Sequence, residues 1–134
     1  MKVILNKCFG GFRPSREAYE LYVKKKGQKL FAYELAPDLT YRRTSEKDGL
    51  FITFTTRDYG DNPKSDDFDW ENDVLYLNSD YREDPVLIEV VEELGEKASA
   101  YVSDLRIVDI PDGMDYVIDD YDGVETLHAR VQEW

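Results

Sequence analysis

The chain has 134 residues, of which 42% are apolar and 13% aromatic, and its net charge is −12. That composition is enough for a buried core and excludes disorder along the whole length. The acidic balance excludes general binding to DNA, RNA or anionic membranes, which requires clustered Lys and Arg.

In chain order, Val3, Ile4 and Leu5 form a short apolar run that reads as a buried strand. It leads into Cys8-Phe9-Gly10-Gly11-Phe12, where paired glycines permit positive φ and close backbone approach. Ser15 is the expected N-cap of a helix with Ala18, Leu21 and Tyr22 on one face, stopped at Gly27. Lys29–Leu35 reads as a strand broken at Ala36-Pro37-Asp38. Leu39–Arg43 and Leu50–Thr56 read as strands joined in a hairpin around Lys47-Asp48-Gly49. Residues 58–73 are loop-like and rich in carboxylates, and Val74–Leu77 is a short strand.

The spacing predicts a second helix over 85–98, capped by Asp84 with Pro85 at its first position. Leu87, Val90, Val91, Leu94 and Ala98 make its buried stripe, and Glu89, Glu92, Glu93 and Glu96 its acidic face. Leu105–Ile110 is a strand closed by a Pro111-Asp112-Gly113 turn, and Tyr116–Ile118 is another. The last segment admits two readings. Asp122-Gly123 suggests a hairpin with Leu127, Ala129 and Val131 on one face, although it sets Asp120 opposite Glu125. A helix carrying Val124, Leu127, Val131 and Trp134, with Asp122 as cap and Glu125 completing a capping box, is the alternative. The hairpin is preferred. Two main helices packed on a small mixed or antiparallel sheet define an α+β class, in a single domain spanning 1–134.

Charge is unevenly placed along the sequence. Residues 1–57 hold 12 Lys+Arg against 6 Asp+Glu, whereas residues 58–134 hold 5 against 23. The lone Cys8 precludes an intramolecular disulfide. No apolar run approaches a membrane span, and Met1–Phe12 lacks the features of a signal peptide. A cytoplasmic protein is expected.

The run Met1–Phe12 with Ser15, the stretch Asp84–Ala98, and Ile107–Gly113 continuing through Ile118–Glu125 to Trp134 resemble a family of small uncharacterised bacteriophage proteins. The resemblance covers about half the chain and does not extend to the middle, about 28–82. It implies a phage origin and a host-cell cytoplasm, and it brings no established activity, cofactor or site. Small phage proteins often act on host systems, immunity included, by binding.

Two constellations point to binding. The first is the glycine loop, where a strand–Gly–helix junction can present N–H groups to an anion. Phe9, Gly10, Gly11, Phe12, Arg13 and Arg16 would form that site for a small nucleotide-like ligand, with Arg42, Arg43 or Arg57 as charge partners. The competing reading is a tight turn with Phe9 and Phe12 in the core. The spacing is neither a Walker loop nor a dinucleotide fingerprint, so no cofactor is expected. The second constellation is the acidic face Glu89, Glu92, Glu93 and Glu96, backed by the 58–73 loop, which could dock on a basic, nucleic-acid-binding surface of a host defence protein. Its competing reading is simple solubility. Interleaved aromatics, Tyr59, Phe68, Trp70, Tyr76 and Tyr81, suit either an interface or a core.

Catalysis has the least support. Cys8 as nucleophile needs His128 as base, oriented by Glu125 or Asp120, and sequence cannot join residues so far apart. The carboxylate clusters Asp66, Asp67, Asp69, Glu71, Asp73 and Asp119, Asp120, Asp122, Glu125 lack calcium-loop spacing, so no metal is expected. The expectation is a non-enzymatic, homo-oligomeric protein that sequesters a small anionic, nucleotide-like ligand, with the acidic inhibitor of a host defence protein as the alternative.

Overall fold

Val3, Ile4 and Leu5 are each no more than 1% exposed and form the centre of strand β1 (Lys2–Asn6). The structure, a computed structural model, describes residues 1–46 and 52–130. The chain divides into two units, one formed by Met1–Ala18 with Leu77–Trp134 and the other by Tyr19–Tyr76. The class is α+β. Its two α-helices accompany antiparallel strands distributed, among the described residues, over three small sheets where the sequence suggests one.

In the first unit β1 pairs antiparallel with β6 (Leu105–Asp109), Ile4 opposite Ile107. Helix α2 (Pro85–Leu94) packs against both strands. Asp84 caps it through Oδ1, which accepts the N–H groups of Val86 and Leu87 at 2.8 and 3.1 Å. Leu87, Ile88, Val90 and Val91 are buried in it, which at roughly 1.5–3 kcal/mol per side chain is its main attachment to the sheet. The α-helix stops at Gly95, and residues 95–98 tighten into a 3-10 turn that still buries Ala98. A 3-10 turn at Ser79–Tyr81 precedes α2.

The closing segment of this unit is a hairpin of β7 (Tyr116–Tyr121) and β8 (Val124–Ala129), in register from Tyr116–Ala129 to Tyr121–Val124. Asp122 and Gly123 have φ of 53° and 86°, the positive pair that a two-residue hairpin turn demands. The helical alternative for 124–129 is thereby excluded, while Val131 and Trp134 lie outside the described residues.

In the second unit the strand order is β3-β2-β4-β5, all antiparallel: β2 is Phe31–Leu35, β3 Tyr41–Arg43, β4 Ile52–Thr55 and β5 Val74–Leu75. The expected direct pairing of the third and fourth strands is therefore not found. β2 lies between them because it carries the buried Ala32 and Tyr33, and a turn at Ala36–Leu39 folds β3 back onto one of its edges. The Lys47-Asp48-Gly49 signal lies outside the described residues. The loop after β4 supplies the core: Phe68 is 5% exposed, and Tyr33, Tyr41, Tyr59 and Trp70 meet its ring edge-on. Tyr19 stacks on Phe54 at 4.1 Å.

Helix α1 (Arg16–Lys25) begins as expected, with Ser15 Oγ accepting the Ala18 N–H at 3.1 Å. Its end is closed by Gly27, φ 69°, with the Gln28 N–H reaching the Val23 carbonyl at 2.8 Å.

Two glycines bring segments of the first unit into contact. A Cβ at Gly10 would lie under 3.0 Å from the Val102 carbonyl, and one at Gly123 under 3.0 Å from the Phe9 carbonyl. Gly10→Ala is expected to lose about 1–3 kcal/mol by overpacking. Gly123→Ala should lose more, because left-handed backbone adds about 1–2 kcal/mol for a residue with a side chain. Urea unfolding reads both, and wild-type midpoints would contradict the close approach.

Candidate functional site

The centre of the first unit is polar. β7 and β8 present Ile118, Asp120, Glu125 and Leu127 on one face, and Val117, Asp119, Tyr121, Thr126 and His128 on the other. Glu125 is 5% exposed, and a carboxylate so placed needs a cation and several donors. Arg82 supplies the cation: Nη2 lies 2.8 Å from Oε2, and Nη1 reaches Oε1 at 3.3 Å and the Ile4 carbonyl at 3.0 Å. The Asn6 backbone N–H donates to Oε1 at 2.8 Å. Lys7 Nζ donates to the Glu125 carbonyl. The Arg82 carbonyl in turn accepts the Ile4 N–H at 2.9 Å, and its guanidinium lies 5.6 Å from the Phe12 ring centroid.

Asn6, fully buried, completes the junction. Its Nδ2 donates to the carbonyls of Cys8 and Gly123, both at 2.6 Å. Its Oδ1 accepts from the N–H groups of Cys8 and Asp104 and from Ser103 Oγ. The side chain thus ties the glycine loop, the hairpin turn and the start of β6. The like-charge pair across the hairpin is resolved locally, since Arg82 takes Glu125 and Asp120 Oδ1 accepts the Gly123 N–H at 2.8 Å. Neither Asn6 nor Arg82 stands out in the sequence. The available signal was a carboxylate, Glu125, on the same strand face as Leu127 and Ala129.

The glycine loop is closed upon itself. The N–H groups of Gly10, Gly11 and Arg13 donate to the Val102 carbonyl, the Cys8 carbonyl and Ser103 Oγ, and that of Cys8 to Asn6. Phe12 is half-buried against Arg82, whereas Phe9 is 65% exposed, so the expected aromatic pair divides between interior and surface. Arg13 and Arg16 are half-buried in the same unit.

Arg42, Arg43 and Arg57 belong to the other unit, and each faces carboxylates there. Arg42 lies 3.6 Å from Asp38, Arg57 lies 3.9 Å from Asp73, and Arg43 binds Asp58 and, at 3.0 Å through Nε, Asp61. Arg43 also covers the Tyr33 ring at 5.7 Å. The Gly60 N–H first, and then Arg43, hold the Asp58 carboxyl below its ordinary value. Asn72, by its side chain and then its backbone N–H, does the same for Asp69, which bridges a turn of the acidic loop. Tyr59 donates to Asp73 and accepts the Asp69 N–H at 3.0 Å; burial, then the Asp73 carboxylate, raises its phenol.

Glu89, Glu92, Glu93 and Glu96 are all exposed, with Glu92 held by Lys2 at 2.9 Å. The fold changes where the charge resides. The first unit contains eight Lys+Arg and 17 Asp+Glu, the second nine and 12, so the basic N-terminal half of the sequence does not make a basic unit. His128 pairs with Asp119, Nδ1 to Oδ2 3.2 Å, on the exposed hairpin face. The expected orienters, Glu125 and Asp120, lie on the opposite face because alternate strand residues point apart. Among the described residues no helix is long and apolar enough to cross a membrane.

Comparison with known proteins finds no family model, no curated sequence and no solved structure that matches this chain.

The lowered Asp58 carboxyl has a signed consequence for stability. As pH falls the unfolded chain takes up the proton first, so the contribution is complete above the ordinary value of 3.8 and is lost as pH drops through the lower folded value. The stability difference between wild type and Asp58→Asn should therefore be constant near neutrality and close in acid, read by urea unfolding across pH. A difference that persists in strong acid would contradict this.

Proposed function

We propose that the chain is a non-enzymatic binding protein that lays the acidic face of α2 on a basic, nucleic-acid-binding surface of another protein. The observation that carries this reading is the two-sidedness of α2. Leu87, Ile88, Val90 and Val91 are buried, while Glu89, Glu92 and Glu93, and Glu96 in the 3-10 turn that follows, are exposed. They stand in a unit with 17 acidic and eight basic side chains. A fixed row of carboxylates offers a basic partner what a phosphate backbone offers, and complementary charge speeds encounter and selects the partner. The resemblance to small phage proteins gives the setting: a host cytoplasm, and a host defence protein as the target.

The competing reading, a sponge for a small nucleotide-like anion, has less support. It needs amide donors turned outward in the glycine loop, and those of Cys8, Gly10, Gly11 and Arg13 are spent inside the unit. It also needs cations, and Arg42, Arg43 and Arg57 each face a carboxylate.

Affinity capture from a bacterial lysate, with excess duplex DNA as competitor, tests the reading. Wild type is expected to retain nucleic-acid-binding proteins that added salt or DNA displaces, and Glu89→Lys with Glu93→Lys should abolish that retention. Retention indifferent to the charge reversal, or a nucleotide released on denaturing the purified protein, would overturn it.

A further inference from the structure

We infer that Phe9, Tyr101 and Tyr121 form one contact surface for an arginine-rich protein segment, an inference that rests on the proposed function and specifies the part of the partner engaged. Among the described residues these three are the large hydrophobic side chains that the first unit leaves exposed, at 65%, 78% and 86%. They are not scattered. The Gly10 N–H donates to the Val102 carbonyl at 2.8 Å, which sets the backbone beside Phe9 against the backbone beside Tyr101. Gly123 approaches the Phe9 carbonyl so closely that a Cβ there would fall under 3.0 Å from it, which brings in the turn that follows Tyr121. Asn6 clamps the same place by donating to both the Cys8 and Gly123 carbonyls.

Three chain segments distant in sequence therefore meet at one place, and each carries an exposed aromatic beside the junction. Val102 adds an independent sign of constraint. It is β-branched yet has φ of 58°, a conformation that costs energy and persists only where the surroundings enforce it. Isolated exposed aromatics are ordinary, but three carried on loops whose backbones are clamped together have the character of an interface.

The charge around them selects the occupant. Asp122 follows Tyr121 in the hairpin turn, Asp104, which Arg106 pairs at 3.0 Å, follows Val102 by two residues, and the unit as a whole holds 17 acidic against eight basic side chains. Nucleobases also stack on aromatics, but their phosphates would be repelled here. A guanidinium satisfies both features, since it stacks on a ring face while its N–H groups meet carboxylates. An ammonium shares the charge without the planar stack, so arginine should be preferred to lysine.

Fluorescence anisotropy with labelled nona-arginine and nona-lysine peptides, at low salt, tests the inference on the full chain. Phe9→Ser, Tyr101→Ser and Tyr121→Ser leave the net charge unchanged and alter exposed side chains. Each is expected to weaken the arginine peptide about two- to fivefold, to affect the lysine peptide less, and to leave circular dichroism unaltered. If the serine variants bind as wild type while Glu89→Lys with Glu93→Lys loses the peptide, the aromatic surface is overturned and the acidic-helix reading survives. If neither peptide binds wild type, both fall. If the serine variants instead dissociate a homodimer in sedimentation without changing peptide affinity, the occupant is a second copy of this chain and the inference is overturned.

Discussion

Glu125 sits on the inward face of a two-stranded hairpin, and the ion pair it makes with Arg82 is the constraint on which the first unit depends. A buried carboxylate without a partner costs several kcal/mol, more than a hairpin of this size can supply from its own strands. Arg82 meets that cost from the turn ahead of α2, while donating to the Ile4 carbonyl and receiving the Ile4 N–H at its own carbonyl. One residue thereby joins β1, the approach to α2 and β8. Asn6, the neighbouring polar residue of β1, extends the junction to the glycine loop and the hairpin turn. A polar centre of this kind specifies one arrangement, because several partners from separate segments must converge on Asn6 and Arg82 at once.

The surface follows from that arrangement. With the hairpin turn and the glycine loop fixed against one another, Phe9 and Tyr121 are held outside the core while Phe12 is drawn against Arg82. The cation that neutralises Glu125 is only 13% exposed and is engaged by that carboxylate, so it does little to reduce the acidic character of the exterior. The proposed docking through α2 and the aromatic loops draws on the surplus of carboxylates that the unit leaves at its surface. In the second unit the economy is different. Arg43 is held by Asp58 and Asp61 at the surface, and the acidic loop turns inward at Phe68, with its ring of aromatics, and at the buried Pro63.

Much of the local structure was legible in the residues. Asp84-Pro85 with a 3.6-residue stripe locates α2, Ser15 and Gly27 bracket α1, and Asp122-Gly123 marks the hairpin turn, because capping and turn chemistry act over a few residues. The repulsion between Asp120 and Glu125 counted against that hairpin, and what removes it lies 43 residues away at Arg82. Strand order was equally non-local. Proximity in sequence suggested β3 against β4, yet β2 separates them because its buried Tyr33 belongs at the centre of the sheet. The charge asymmetry read along the chain misled for the same reason, since β1 and its basic neighbours fold with the acidic C-terminal half. Of the two binding constellations, the glutamate face of α2 emerges at the surface as expected. In the glycine loop the amides of Cys8, Gly10, Gly11 and Arg13 have partners within the unit.

The most direct test of the central constraint is a double-mutant cycle on Arg82→Met and Glu125→Gln, measured by urea unfolding. Glutamine keeps an acceptor for the Asn6 N–H, so the cycle isolates the charge pair. Each single variant is predicted to lose about 3–5 kcal/mol, and the double variant much less than the sum, with a coupling of at least about 1 kcal/mol. Losses that add to within about 0.5 kcal/mol would contradict the claim that this pair holds the unit together.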